Sequence, residues 1–277
     1  MHMDIPSRRV EILPAKRRAM ILERVRQNGS ATIQELADEI HASPSTIRRD
    51  LDQLTEEGYL ERTHGGVLLV PPLRSTFERE PSLDAQLQHN QKIAIGQVAA
   101  QRLNPRDSVI FDSSSTVLEA ARAAVLRDIP LTAVTNNLES ALVCSQCPSW
   151  RVIMPGGTIR PTTRSMVGEP GEAFLKTIHV DVCLIGAYAV TGRLLTDATI
   201  EVASLKRAMI QSARRTLLLV DSSKFQAPAF STFCEIQDID EVITDDGIAP
   251  EHLAALRAFS VKVTVVPVNA NGSASMS

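Results

Sequence analysis

The chain has 277 residues, room for two domains, with 44% hydrophobic but only 4% aromatic residues and a formal net charge of −3. That aliphatic richness excludes a disordered chain, and the balanced charge excludes a protein that holds nucleic acid through a general positive field. With no secretory signal and no apolar run near the ~20 residues of a bilayer-spanning helix, a cytoplasmic location without a membrane partner is expected.

Residues 1–14 carry Pro6, Pro14 and a few charges without periodicity, and read as a flexible arm. Met20, Ile21, Leu22 and Val25 predict a first helix over about 15–27, ended by Asn28-Gly29. Thr32 caps a second helix over 33–40, with Ile33, Leu36, Ala37 and Ile40 as its buried stripe. The short turn His41-Ala42-Ser43 leads into a third helix. There Ser43 is a good N-cap, Pro44 suits the first helical position, and Ile47, Leu51 and Leu54 recur at i, i+4 and i+7. Ser45 and Arg49 fall on the opposite face, flanked by Thr46 and Arg48. Short hydroxyls and guanidinium groups on the open side of such a helix suit a DNA major groove.

After Gly58 the period changes, and 59–63 and 67–70 are β-like runs around the turn His64-Gly65-Gly66. Three helices and a hairpin make a winged helix-turn-helix domain over 15–70, whose wing places Arg62 and His64 for phosphate contact. The DNA-binding candidates are Ser43, Ser45, Thr46, Arg48, Arg49, Arg62 and His64. Residues 1–72 hold ten Arg/Lys against eleven Asp/Glu, so affinity has to come from local clusters. Those clusters are Arg8, Arg9, Lys16, Arg17 and Arg18, then Arg48 and Arg49, then Arg62 and His64.

Residues 71–86 read as a linker, with prolines, charges and no sustained period. A helix over about 87–103 opens a second domain, 87–267, in which aliphatic strands alternate with helices. The strand runs are 109–111, 131–134, 151–154, 182–185, 216–220, 241–243 and 261–266. Near-continuous aliphatic strands in that rhythm imply a mostly parallel sheet covered on both faces. The small polar tail 268–277 is expected to be disordered.

Ligands of open parallel sheets bind at the carboxyl ends of the strands. Those ends hold Asp112-Ser113-Ser114-Ser115-Thr116, then Thr135-Asn136, Gly156-Gly157, Gly186-Ala187, Asp221-Ser222-Ser223-Lys224 and Thr244-Asp245-Asp246. The first, a hydroxyl-rich turn before a helix start, suits a phosphate. The whole set supplies the short polar groups that a polyhydroxylated ligand needs. Cys144 and Cys147 have CxxC spacing, but no second ligand pair lies near and they close a helix rather than open one. A structural role is expected, with no metal site and no cofactor.

The run Ser43-Pro44-Ser45-Thr46-Ile47-Arg48-Arg49-Asp50-Leu51, with Leu54, Glu57-Gly58 and His64-Gly65-Gly66, resembles the DNA-binding signature of the DeoR family of bacterial transcriptional regulators. The resemblance implies a recognition helix that reads a double-stranded operator half-site and a repressor of sugar-metabolism genes. It continues into the second domain, which is similar to the family's effector domain of the ribose-5-phosphate isomerase and glucosamine-6-phosphate deaminase fold group. The implied architecture is α/β: a small winged helix-turn-helix domain plus a larger Rossmann-like domain with a mostly parallel sheet. The family's phosphate loop reads Asp-Ser-Gly-Thr-Thr, and here Ser114 replaces the glycine, adding a hydroxyl and restricting the backbone. Ser165 and Gly168, then Glu201, Ala203 and Lys206-Arg207-Ala208-Met209, then Asp221-Ser222-Ser223-Lys224-Phe225 match later segments. By resemblance, Lys206 and Lys224 neutralise a phosphate or hold the pocket through ion pairs.

The implied effector site comprises Asp112, Ser113, Ser114, Ser115, Thr116, Thr135, Asn136, Gly156, Gly157, Ser165, Gly186, Tyr188, Lys206 and Lys224. Isomerases of that fold carry Asp-Gly-Ala-Asp-Glu at one strand end, where this chain has Ile185-Gly186-Ala187-Tyr188-Ala189. The proton-moving carboxylates are gone, so no catalytic residue is assigned and the chain is expected not to be an enzyme. The expected partners are operator DNA, a phosphorylated sugar or polyol, and further copies of the chain as a dimer or tetramer. The competing expectation is a sugar-phosphate isomerase or deaminase with an appended DNA-binding domain.

Overall fold

A computed structural model describes residues 12–63, 65–69, 83 and 86–268. Most of the expected arm, most of the linker, His64 and nearly all of the tail lie outside the described residues, and Pro14, read as part of the arm, begins the first helix. Two compact units are present, the described residues up to Leu87 forming one and Gln88 onward the other.

The first unit opens with α1 (Pro14–Asn28), closed by Gly29 at φ 77°, the left-handed conformation that glycine adopts without strain. β1 (Ser30–Thr32) follows, then α2 (Ile33–Ile40), entered through a reciprocal capping box between Thr32 and Glu35. α3 (Pro44–Glu56) is capped by Ser43, and β2 (Leu60–Arg62) and β3 (Gly66–Leu69) form the wing. Ile21, Val25, Leu36, Ile40, Ile47, Leu51 and Leu54 are buried together. Within this core the polar pair Arg17 and Asp50 joins α1 to α3 at 2.5 and 3.1 Å. β1 was not anticipated. It pairs antiparallel with β3, giving the sheet order β1-β3-β2. A Cβ on Gly66 would lie 2.1 Å from the Ala31 carbonyl oxygen, so only glycine lets the two strands meet there.

The second unit begins with α4 (His89–Ala100), shorter than the helix read from the sequence. Then come β4 (Ser108–Phe111), α5 (Ser115–Val125), β5 (Thr132–Thr135), α6 (Leu138–Cys144) and β6 (Arg151–Ile153). A hairpin of β7 (Thr158–Arg160) and β8 (Ser165–Val167) and the short α7 (Gly171–Leu175) lead to β9 (Val180–Ile185). After β10 (Ala189–Thr191), β11 (Leu194–Asp197) and α8 (Ile200–Gln211) come β12 (Ala213–Leu219) and β13 (Ser231–Glu235). β14 (Glu241–Asp245), α9 (Pro250–Ala258) and β15 (Lys262–Val266) complete it.

All seven expected strands lie in one parallel sheet of order β15-β14-β12-β9-β4-β5-β6. Side chains of α4, α5 and α6 pack one face, around Ile95, Val117, Ala120 and Val143. Those of α7, α8 and α9 pack the other, around Leu175, Leu205, Met209 and Leu256. The chain starts in the middle at β4, runs outward to β6, then returns to β9 on the other side of β4. Strand order therefore reverses between β4 and β9, the position at which open parallel sheets bind ligands beside the carboxyl ends of their strands. β10, β11 and β13 form a separate antiparallel sheet that the strand-helix rhythm did not reveal.

Candidate nucleic-acid interface and ligand site

On α3, burial of Ile47, Leu51 and Leu54 turns Ser45, Arg48 and Arg49 to solvent, with Thr46 partly exposed. The Ser43 hydroxyl oxygen accepts from the Thr46 N–H at 3.1 Å and lies 2.8 Å from both the Ser45 and Thr46 hydroxyls. A linked set of three hydroxyls thus marks the helix start. The other cations are employed differently from the sequence expectation. Arg17 is spent on Asp50, and Arg18 lies 3.5 Å from Glu57. Arg62, expected on a phosphate, turns back toward α3, where it donates to the Arg48 carbonyl at 3.1 Å and to the Asp52 carboxylate. Arg48, Arg49 and Lys16 remain exposed.

At the carboxyl ends of β4 and β9, Asp112 is buried and organises the turn. Its carboxylate accepts from the Ser114 N–H at 2.7 Å and from the Gly186 N–H at 2.9 Å. Ser114 caps α5 by accepting from the Val117 N–H at 3.3 Å. A Cβ on Gly186 would fall 2.5 Å from the Ser114 hydroxyl oxygen, so the two loops touch through this glycine. Lys206 reaches the same point from α8. Its ammonium donates to the Gly186 carbonyl at 2.9 Å and to Asp197 at 2.7 Å, and lies 3.5 Å from Asp112. Burial alone pushes the Lys206 pKa down, but Asp197 and Asp112 outweigh it and hold the ammonium above its ordinary 10.5. The sequence reading missed Asp197. It lies at the end of β11, beyond the Gly192-Arg193 hairpin turn that joins β11 to β10, and an isolated Thr-Asp carries no motif.

Thr135 and Asn136 belong to a second cluster, stitched to the β7–β8 hairpin. Asn136 accepts from the Met166 N–H through its main-chain oxygen at 2.7 Å, and its side-chain amide donates to the Met166 carbonyl at 3.0 Å. The Asn136 side-chain oxygen is buried and has no hydrogen-bond partner among the described residues. Ser165 is buried on β8 with its hydroxyl 2.7 Å from that of Thr163. Gly156 and Gly157 adopt φ 89° and 127°, and a Cβ on Gly157 would lie 2.7 Å from the Val167 carbonyl oxygen. These two glycines shape the hairpin's entry. In a third group, the Lys224 ammonium stands 6.0 Å from the Tyr188 ring centre, while the Tyr188 N–H donates to the Thr196 carbonyl at 3.1 Å.

The cysteines behave as packing residues. Cys144 and Cys147 are buried, and burial pushes the Cys144 thiol up to about 12, far from a reactive thiolate. Among the described residues no group of three His, Cys, Asp or Glu is arranged for a metal ion, and no helix is long and apolar enough to cross a membrane.

Residues 17–72 match the model of the DeoR-like helix-turn-helix domain, and residues 87–246 match that of the DeoR C terminal sensor domain. The HTH-type transcriptional regulator YulB of Bacillus subtilis is 33% identical, over 94% of this chain and 100% of its own. The glycerol-3-phosphate regulon repressor of Escherichia coli is 33% identical, over 87% of this chain and 93% of its own. The transcriptional repressor GlcR of Bacillus subtilis is 31% identical, over 83% and 88%. Ribose 5-phosphate isomerase A of Methanocaldococcus jannaschii aligns with 50% of this chain and 55% of its own at 14% identity and a TM-score of 0.39, too distant to bear on chemistry. Both halves of the chain thus match halves of the same regulators, in the same order and over nearly their full length, and the chain belongs to the DeoR family of helix-turn-helix transcriptional regulators.

Proposed function

We propose that this regulator represses a carbohydrate-use operon and releases its operator when a phosphorylated sugar or polyol enters the second unit. Reciprocal weakening of DNA and effector follows if the two ligands favour different states of the protein. Ser43, Ser45, Thr46, Arg48 and Arg49 form the DNA-contacting set, acting as a cytoplasmic homo-oligomer, a dimer or tetramer. The observation that carries the effector reading is the contact of the Ser114 turn with Gly186 where strand order reverses.

In this reading the hydroxyls of Ser113, Ser115 and Thr116 and the start of α5 hold the phosphate. Asn136, through its buried side-chain oxygen, accepts from a ligand hydroxyl, with Thr135 beside it, and Tyr188 and Lys224 bound the far side. Asp112, Ser114, Gly156, Gly157, Ser165, Gly186 and Lys206 build the frame. The glycerol-3-phosphate regulon repressor among the relatives supports a small phosphorylated ligand.

The test is fluorescence anisotropy with duplexes drawn from the promoter beside the gene, titrated with a panel of sugar and polyol phosphates. One member should lower operator affinity while its unphosphorylated counterpart does not. A panel that binds the protein yet leaves operator affinity unchanged overturns the induction reading.

A further inference from the structure

Two exposed acids on α3, Asp52 and Glu56, oppose DNA binding, and Asp52 lies nearer the start of the helix. Asp52 follows Ser45 and Arg49 at i+7 and i+3, so it shares their solvent-facing stripe, and its side chain is 63% exposed. A carboxylate there repels phosphates. The N-terminal region has no surplus positive field to mask it, holding ten Arg/Lys against eleven Asp/Glu in residues 1–72.

The wing supplies the counter-charge. Arg62 ends β2, and one guanidinium nitrogen, Nη2, donates both to the Asp52 carboxylate and to the Arg48 carbonyl at 3.1 Å. The side chain is 33% exposed and lies along α3 rather than extending from the wing. We propose that Arg62 serves DNA binding as a positioning residue without holding a phosphate: it cancels the Asp52 charge on the reading face and clamps the wing strand to the helix beside Arg48. The proposal rests on DNA recognition by α3 and deepens it. Among the described residues no carboxylate pairs with Arg48 or Arg49, and the wing's cation is used on the acid nearer them.

The two roles for Arg62 separate in a double-mutant cycle measured against salt. The probe is a duplex selected by the full-length protein from a randomised library, and thermal unfolding checks that each variant is folded. Arg62→Ala should weaken binding roughly fivefold to tenfold by exposing an uncompensated carboxylate, most strongly at low salt, where that repulsion is least screened. Asp52→Asn with Arg62→Ala should recover most of that loss and the wild-type salt slope, because the charge needing cancellation is gone. Arg62→Lys, which keeps the charge, should stay close to wild type. A slope reduced by about 0.9 in Arg62→Ala that persists, with weak binding, in the double variant would mark a phosphate contact and overturn the proposal. Unchanged affinity of Arg62→Ala overturns it as well. If wild-type binding survives Arg48→Ala with Arg49→Ala, the α3 reading itself fails, and this proposal with it.

Discussion

Lys206 and Asp197 face each other at 2.7 Å inside the second unit, with Asp112 a further 3.5 Å from the same ammonium. One cation thus ties α8, the end of β11 and the turn after β4, and its carbonyl partner Gly186 adds the end of β9. Two buried carboxylates share a single positive charge. The ammonium fastens four parts of the unit together.

Removing that charge should be costly. Lys206→Met leaves Asp112 and Asp197 buried with no cation between them, and should destabilise the second unit by about 3 kcal/mol in urea unfolding. Because the ammonium's pKa is raised in the fold, its contribution is complete below its ordinary 10.5 and is lost as pH rises through the folded value. The wild type should therefore weaken in strong alkali, and Lys206→Met should lack that component.

Acid acts at the opposite end of the sheet. Burial pushes the Glu241 carboxyl up, but hydrogen bonds from Arg102, Thr264 and Lys262 outweigh this and hold it below its ordinary 4.5. Stability from this cluster is complete above 4.5 and is withdrawn as pH falls through the folded value. Glu241→Gln should flatten the unfolding profile in that acid window, and an unchanged profile would refute the assignment.

Gly186 offers a way to damage the effector site alone. Gly186→Ala would press a methyl group to within 2.6 Å of the Ser114 Cβ, costing about 1–3 kcal/mol as the turn shifts. Calorimetry should show weaker effector binding, while operator affinity without effector stays at the wild-type level.

The cap of α3 separates stability from recognition. Ser43→Ala removes the acceptor for the Thr46 N–H and should cost about 1 kcal/mol of the first unit's stability. Ser43→Asp restores a cap but sets a carboxylate at the DNA-facing start of the helix. Thermal unfolding should return to near wild type while operator affinity falls. Equal recovery of both would mean that the start of α3 does not approach DNA.

What the chain determines locally is legible from its residues. The stripe of Ile47, Leu51 and Leu54 predicts which face of α3 is buried, because a helix with one apolar face has one way to pack it. The seven aliphatic runs predict the seven parallel strands for the same reason: burial on both faces leaves no polar alternation. The Ser43 cap and the Gly65-Gly66 turn are short-range chemistry, written in adjacent residues. Strand order is different. That β9 lies against β4 and not beyond β6 depends on how the crossovers pack, and no window of sequence contains it. In the antiparallel sheet, β10 and β11 form a local hairpin turned at Gly192-Arg193, but β13 joins them only across a helix and a long strand, which no window of sequence contains. Charge fate was likewise undecided by sequence. Arg17, Arg18 and Arg62 read as DNA-facing cations, yet Asp50, Glu57 and Asp52 claim them, since a guanidinium goes to the nearest carboxylate the fold presents. The residues alone show a reading helix and a hydroxyl-rich set of strand ends. Only the tertiary structure decides which of their charges remain free to bind, because pairing depends on distances set by parts of the chain far apart in sequence.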